Sequence, residues 1–194
     1  MAAEDLKVFL KNRPYPGEKN SGDLPFYFHR ENALLLGIVD GLGHGAKAHL
    51  VTLQIREHLE QYWHNDVLKM FTNLDRTLQT SIGAAIGMAY VDLLNGKMEY
   101  AAVGNTQAYV LGETTYRFIS KDGVVGQQMR TPLLQPYQLT AGDKVISTTD
   151  GIQERFYNDT SHHYRTTAPE TIVGSIVEDF GKKYDDASCL VFEF

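Results

Sequence analysis

The feature that most limits what this chain can fold into is the run Ala33-Leu34-Leu35-Leu36-Gly37-Ile38-Val39, nearly unbroken in apolar residues and ended by Asp40. A strand with one wet face alternates, so this composition suits burial on both faces. Behind it, Gly41-Leu42-Gly43-His44-Gly45 places three glycines in five residues. A plain connection from strand to helix needs fewer, and such a loop lets backbone approach a ligand closely.

The remaining patterning surrounds that strand with others. Leu6–Leu10, Leu24–His29, Gly83–Leu93, Lys97–Val103, Ala108–Leu111, Thr115–Ser120, Lys144–Thr149 and Ala187–Phe194 read as strands. The stretch from Gly83 to Ser120 reads as one central meander, with Asn95-Gly96 as a two-residue hairpin turn. Ala48, Val51, Ile55, Leu59 and Tyr62 recur at helical spacing within Ala48–Trp63, and Leu68, Phe71, Leu74 and Leu78 within Val67–Leu78. Pro169 opens a third helix that ends near Gly181. Between Asp150 and Pro169 the sequence reads as a polar loop. Strands outnumber helices and mostly adjoin each other in sequence, so the fold class is α+β, with antiparallel sheets covered by helices.

Composition excludes several classes. With 194 residues, 43% hydrophobic and 22% charged, the chain reads as one globular domain over residues 1–194. A domain of this size hides about 70% of the surface of its unfolded chain, so no structural metal or disulfide is required. The longest uncharged stretch, Thr77–Val91, is 15 residues and too short to span a membrane. No signal peptide is visible in the acidic start Met-Ala-Ala-Glu-Asp, so the expected location is cytoplasmic. Cys189 is the single cysteine, which excludes a CxxC site. The net charge of −6 argues against a nucleic-acid surface.

Four aspartates stand at predicted strand ends: Asp23, Asp40, Asp150 and Asp185. Asp23 and Asp40 are nearly equidistant from Glu31-Asn32, so a hairpin folded there sets them side by side. Asp150 and Asp185 meet likewise if their two strands are antiparallel neighbours. Taken singly, Asp40-Gly41, Asp150-Gly151 and Gly22-Asp23 are ordinary turn chemistry, and Asp185-Asp186 fits a solvated loop. Gathered at one edge, each carboxylate pair at about 4 Å would repel by ~4 kcal/mol at an effective dielectric constant of about 20. Two divalent cations match that charge, and an all-oxygen donor set suits Mg²⁺ or Mn²⁺ better than zinc. Such a pair of ions activates water and clamps a phosphoryl oxygen, which is the chemistry of phosphoester hydrolysis.

Together, Gly22-Asp23, the Asp40-Gly41-Leu42-Gly43-His44-Gly45 loop, Thr149-Asp150-Gly151 and Asp185-Asp186-Ala187-Ser188 resemble the metal-dependent PPM (2C-like) protein serine/threonine phosphatases. The short length and the DGLGHG form are most similar to the SpoIIE/RsbX branch. The resemblance implies a four-layer αββα sandwich with a two-metal centre at one end. It also implies that Asp40 bridges both ions, Gly41 contributes its carbonyl, Asp23 lies near the first ion, and Asp150 and Asp185 hold the second. Asp40 and Asp150 would act in catalysis through the water that the ions activate. Asp186 stands open as an alternative to Asp185. The implied substrate is a phosphorylated protein, in this branch a STAS-domain stressosome regulator, with no nucleic-acid or membrane partner.

Two positions depart from the pattern of larger relatives. Leu42 stands where many have a histidine, and His44, two residues later, does not inherit a general-acid role. Asn105 stands where an aspartate accompanies a third ion. Two other classes compete with a phosphatase. Gly41-Leu42-Gly43-His44-Gly45-Ala46 satisfies a dinucleotide-binding fingerprint, although the following segment reads as a second helix and not as a parallel strand. A regulatory binding module that has lost catalysis would keep the same fold. His162-His163 reads as a solvent-facing pair, His49, His58 and His64 as helix-surface residues, and Lys47 as a solvated lysine beside the glycine loop.

Overall fold

The computed structural model describes residues 6–194, with side chains for all of these except 158–162. The first five residues and the side chain of His162 therefore lie outside the described part. Ten strands form two five-stranded sheets in which every paired strand runs antiparallel. The first sheet has the order β1 (Lys7–Arg13), β10 (Ala187–Glu193), β9 (Lys144–Thr148), β6 (Gln107–Leu111), β7 (Thr115–Arg117). The second has the order β2 (Asp23–Arg30), β3 (Ala33–Gly41), β4 (Ala84–Asp92), β5 (Lys97–Val103), β8 (Gln135–Gln138). Helices α1 (Gly45–Tyr62) and α2 (Val67–Thr77) cover the second sheet, while α4 (Pro169–Phe180) packs on β1 and β10 of the first, with α3 (Arg155–Tyr164) beside it.

Three apolar layers hold these four layers together, and β3 explains why its sequence lacks alternation. Leu34 and Leu36 point into the core between the sheets, whereas Leu35 and Val39 point into the core under α1 and α2. The last strand repeats the logic, with Leu190 and Phe192 between the sheets and Cys189 and Val191 under α4. Both strands keep a period of two, but each face meets apolar neighbours. The expected αββα sandwich is the observed fold.

Four readings need correction. The predicted meander is split between sheets, because the chain crosses from β5 to β6 at Gly104, whose φ is +97° and where a Cβ would stand 2.3 Å from that of Ala85. The connection between β4 and β5 has four residues, since Asp92 pairs with Lys97. The Asp92 carboxylate there accepts the N–H groups of Leu94 and Asn95 at 3.0 and 3.3 Å, which draws them into the turn ahead of Asn95-Gly96. The supposed polar loop before Pro169 contains α3, anchored through Phe156 and Tyr164 in the core under α4. Finally, the polar strand β8 pairs with β5 at an edge, where Pro136 is tolerated.

Candidate metal centre

The register of β2 on β3 places Asp23 directly opposite Asp40. Strands β9 and β10 are antiparallel neighbours, and the Thr149 N–H extends their ladder to the Ser188 carbonyl at 3.2 Å. Asp150 and Asp185 thus follow and precede these strands at one end of the first sheet. Side chains join this end to the second sheet. Thr149 Oγ1 donates to Asp23 Oδ2 at 2.6 Å and accepts the Ser188 N–H at 3.1 Å. Asn12 Nδ2 donates to the Asp23 carbonyl at 2.8 Å, and Ser188 Oγ donates to Asn12 Oδ1 at 2.9 Å. Both acid pairs therefore share one edge of the sandwich.

Asp40, Asp150 and Asp185 line a cleft of about 280 Å³ with Tyr15, His44 and Asn105. Asp23, 3% exposed, and the buried Gly41 lie behind it. Burial first, then the charges of Asp150 and Asp185, push the Asp40 carboxyl up to about 7, against a hydrogen bond from Asn105. Burial and then Asp40 hold Asp23 well above the usual carboxylate range, opposed by the Thr149 hydroxyl. Asp185 is raised by burial and by Asp150, with Lys182 acting the other way. Among the described residues, none of these four carboxylates takes part in a salt bridge.

Asp186 behaves differently from its neighbour. It is 4% exposed, and its two oxygens accept the backbone N–H groups of Tyr15 at 2.7 Å and Gly22 at 3.1 Å. It fastens the loop ahead of β2 to the start of β10, while Asp185 faces the cleft. Gly151 is required by the same junction, because a Cβ there would stand 1.7 Å from the Asp186 carbonyl oxygen. Thr149, Asn12, Ser188 and Asp186 escaped sequence reasoning as supports because their partners are remote in the chain. Thr149, for example, lies 126 residues from Asp23.

The other candidates spread around the rim. His44 stacks on Tyr15 with ring centroids 4.5 Å apart, and its Nδ1 lies 3.5 Å from Glu18 Oε1. Leu42 and Lys47 are exposed, the latter in the first turn of α1. His49 Nδ1 meets the Ser21 carbonyl at 3.0 Å, and His64 lies beyond α1, accepting the Asp66 N–H. His163 is exposed, on α3 and not in a loop. The glycine loop joins β3 to α1, and α1 leads to α2 without a parallel strand between them. The βαβ unit that a dinucleotide fingerprint needs is therefore missing from this part of the chain.

The donor chemistry fits hard divalent ions: uncompensated carboxylates around a cleft, with oxygen as the ligand atom. Among the described residues, no three acidic, histidine or cysteine side chains converge into a ready-made cage. Mutual repulsion favours that spacing, and Mg²⁺ commonly binds through one or two carboxylates while keeping several waters.

Comparisons with known proteins bear on the family and the fold. Residues 30–194 match the model of the family described as stage II sporulation protein E (SpoIIE). The chain is 24% identical over 153 residues to the phosphoserine phosphatase RsbX of Bacillus subtilis (strain 168), covering 77% of this chain and 76% of RsbX. A structure from work on the bacterial stressosome as a modular system superposes with a TM-score of 0.86 at 26% identity, covering 97% of this chain and 99% of that one. RsbX crystallised with magnesium superposes with a TM-score of 0.85 at 17% identity, over 97% and 94% of the two chains. The chain belongs to the family described as stage II sporulation protein E (SpoIIE).

Proposed function

We propose that this chain removes phosphate from phosphoserine or phosphothreonine of a protein partner, using two divalent cations, Mn²⁺ or Mg²⁺. The observation that carries this reading is the gathering of Asp40, Asp150 and Asp185 at one cleft, with Asp23 buried behind them and, among the described residues, no basic side chain in ion-pair contact. Divalent ions in such a site supply charge neutralisation, activation of water at neutral pH and a clamp on the phosphoryl oxygens. Asp40, which feels both Asp150 and Asp185, would bridge the ions, and Gly41 beside it would offer its carbonyl. Asp23 would support the first ion from behind, its Oδ2 oriented by Thr149. Asp150 and Asp185 would hold the second. Asp186 is left out of the set, since both its oxygens already accept backbone N–H groups.

In this reading water attacks the phosphorus directly and no phosphoenzyme forms. The likeness to a phosphoserine phosphatase and to a chain from work on the bacterial stressosome supports a phosphorylated protein of such an assembly as the partner, which we take to be a STAS-domain regulator met in the cytoplasm. No helix among the described residues is long and apolar enough to cross a membrane. The test is phosphate release from a phosphoserine protein. Release in Mn²⁺, abolished by chelator and restored by excess Mn²⁺, is expected; release indifferent to chelator, or none at all, overturns the reading.

A further inference from the structure

A second cleft, of about 600 Å³, opens beside the end of β7 and the segment that follows it, and adjoins the acid cleft, because Asn105 and Asp150 line both. A phosphoryl group needs far less space than this. Its wall is built and not merely draped. The Gln135 side chain, 6% exposed, accepts the Ile119 N–H at 2.9 Å and donates to the Ile119 carbonyl at 2.8 Å. Ser120 Oγ donates to the Gly104 carbonyl at 2.7 Å. These bonds hold Ile119 in place while leaving its side chain 61% exposed at the cleft. A preorganised wall with an apolar group turned to solvent suits contact with a polypeptide.

The charges on this wall differ from those of the acid cleft. Arg117 and Lys182 reach it from β7 and from the segment before β10. Of the two carboxylates present, Asp150 belongs to the proposed metal set. Glu154 Oε1 already accepts from Gln107 at 2.8 Å and lies 3.6 Å from Arg117. Lys182 has no salt bridge among the described residues. With the acid cluster neutralised, the remaining field favours an acidic side chain from outside.

We propose that this cleft receives the polypeptide segment flanking the phosphoserine, and that Arg117 and Lys182 select segments carrying an acidic residue close to it. This inference rests on the phosphatase reading of the adjoining site. It is tested with two synthetic phosphoserine peptides, identical except for Glu or Lys two residues from the phosphoserine, assayed in Mn²⁺. The wild-type protein should favour the Glu peptide by roughly fivefold in kcat/KM at low salt, the scale of one or two exposed ion pairs, and the preference should shrink at high salt. Arg117→Glu, on an exposed edge strand, should reverse or erase that ratio, and adding Lys182→Glu should push it further. Because each ratio is taken within one protein, a general loss of activity does not mimic the effect. Turnover of both peptides with no charge preference, or a preference that the variants leave unchanged, overturns the inference and leaves the phosphatase reading standing. Failure of the wild-type protein to release phosphate from either peptide overturns both.

Discussion

Asp40 and Asp92 occupy the ends of neighbouring antiparallel strands and hence opposite ends of the same sheet. The sequence offers the same residue type in both places, yet the two side chains live in contrary surroundings. Asp92 is half-buried, accepts the N–H groups of Leu94 and Asn95 and the Asn95 amide at 2.7 Å, and is held below its ordinary range chiefly by that amide. Asp40 lies within β3, meets no basic partner among the described residues, and is pushed up to about 7. One end uses aspartate to form a turn. The other gathers carboxylates that meet no basic partner among the described residues, and the proposed cation site rests on that gathering.

Replacing each aspartate tests the contrast at its widest. Asp40→Ala and Asp150→Ala should each lower phosphate release by roughly a hundredfold to a thousandfold or more while circular dichroism stays native. Asp92→Ala should leave release within about twofold and lower the denaturation midpoint only slightly, through the lost turn bonds. Comparable rates for the Asp40 and Asp92 variants would dissolve the distinction.

Within the site end, Asp185 and Asp186 sharpen it further. Asp186→Ala strips acceptors from the buried Gly22 N–H and the half-buried Tyr15 N–H and should destabilise the fold by about 3 kcal/mol, given about 1.5–3 kcal/mol for each hydrogen bond to a charged group. Asp185→Ala should reduce activity and leave the denaturation midpoint nearly unchanged. The opposite pattern in chemical denaturation would exchange their roles.

Protonation separates the two ends next. A carboxyl raised in the folded state favours the native protein while protonated. Its contribution is fully present below the unfolded value near about 4 and is lost as pH rises through about 7 for Asp40. In chelator, the melting temperature should therefore fall from pH 5 to pH 8. Asp40→Asn should flatten the fall, and excess Mg²⁺ should oppose it. Asp92 carries the reverse sign, stabilising above the unfolded value and losing that effect as pH drops through its lowered folded value. A chelated protein whose melting temperature rises from pH 5 to pH 8 would contradict the placement of Asp40.

How much of this was legible in the sequence follows the range of the forces involved. The apolar run of β3 announced a strand covered on both faces, and the spacing about Glu31-Asn32 announced the Asp23–Asp40 pair, because register in a tight hairpin is local. The division of the meander between sheets was not legible, since the change of layer at Gly104 depends on a contact with Ala85. Helix α3 was hidden because its sequence, Arg155 to Tyr164, is polar apart from Phe156, Tyr157 and Tyr164, too few apolar residues to show a helical period. The choice between Asp185 and Asp186 needed the Tyr15 and Gly22 N–H groups, which arrive from the other end of the chain.

The smallest expected effect comes from backbone conformation. Around the acid cleft, left-handed φ values fall on glycines, Gly43 at +83° and Gly45 at +71°. At the far end of β2 and β3, the two-residue turn instead gives Glu31 a φ of +52°, the one such non-glycine among the described residues. A left-handed L-residue costs roughly 1–2 kcal/mol, and glycine gives back roughly 0.5–1 kcal/mol through the freer unfolded chain. Glu31→Gly should therefore stabilise the protein by about 0.5 kcal/mol without changing activity. Gly43→Ala should lose stability, because it imports at the site end the strain that Glu31 tolerates at the turn end. If denaturation shows Glu31→Gly weaker than the parent, the glutamate side chain or the unfolded ensemble outweighs the backbone term at that turn.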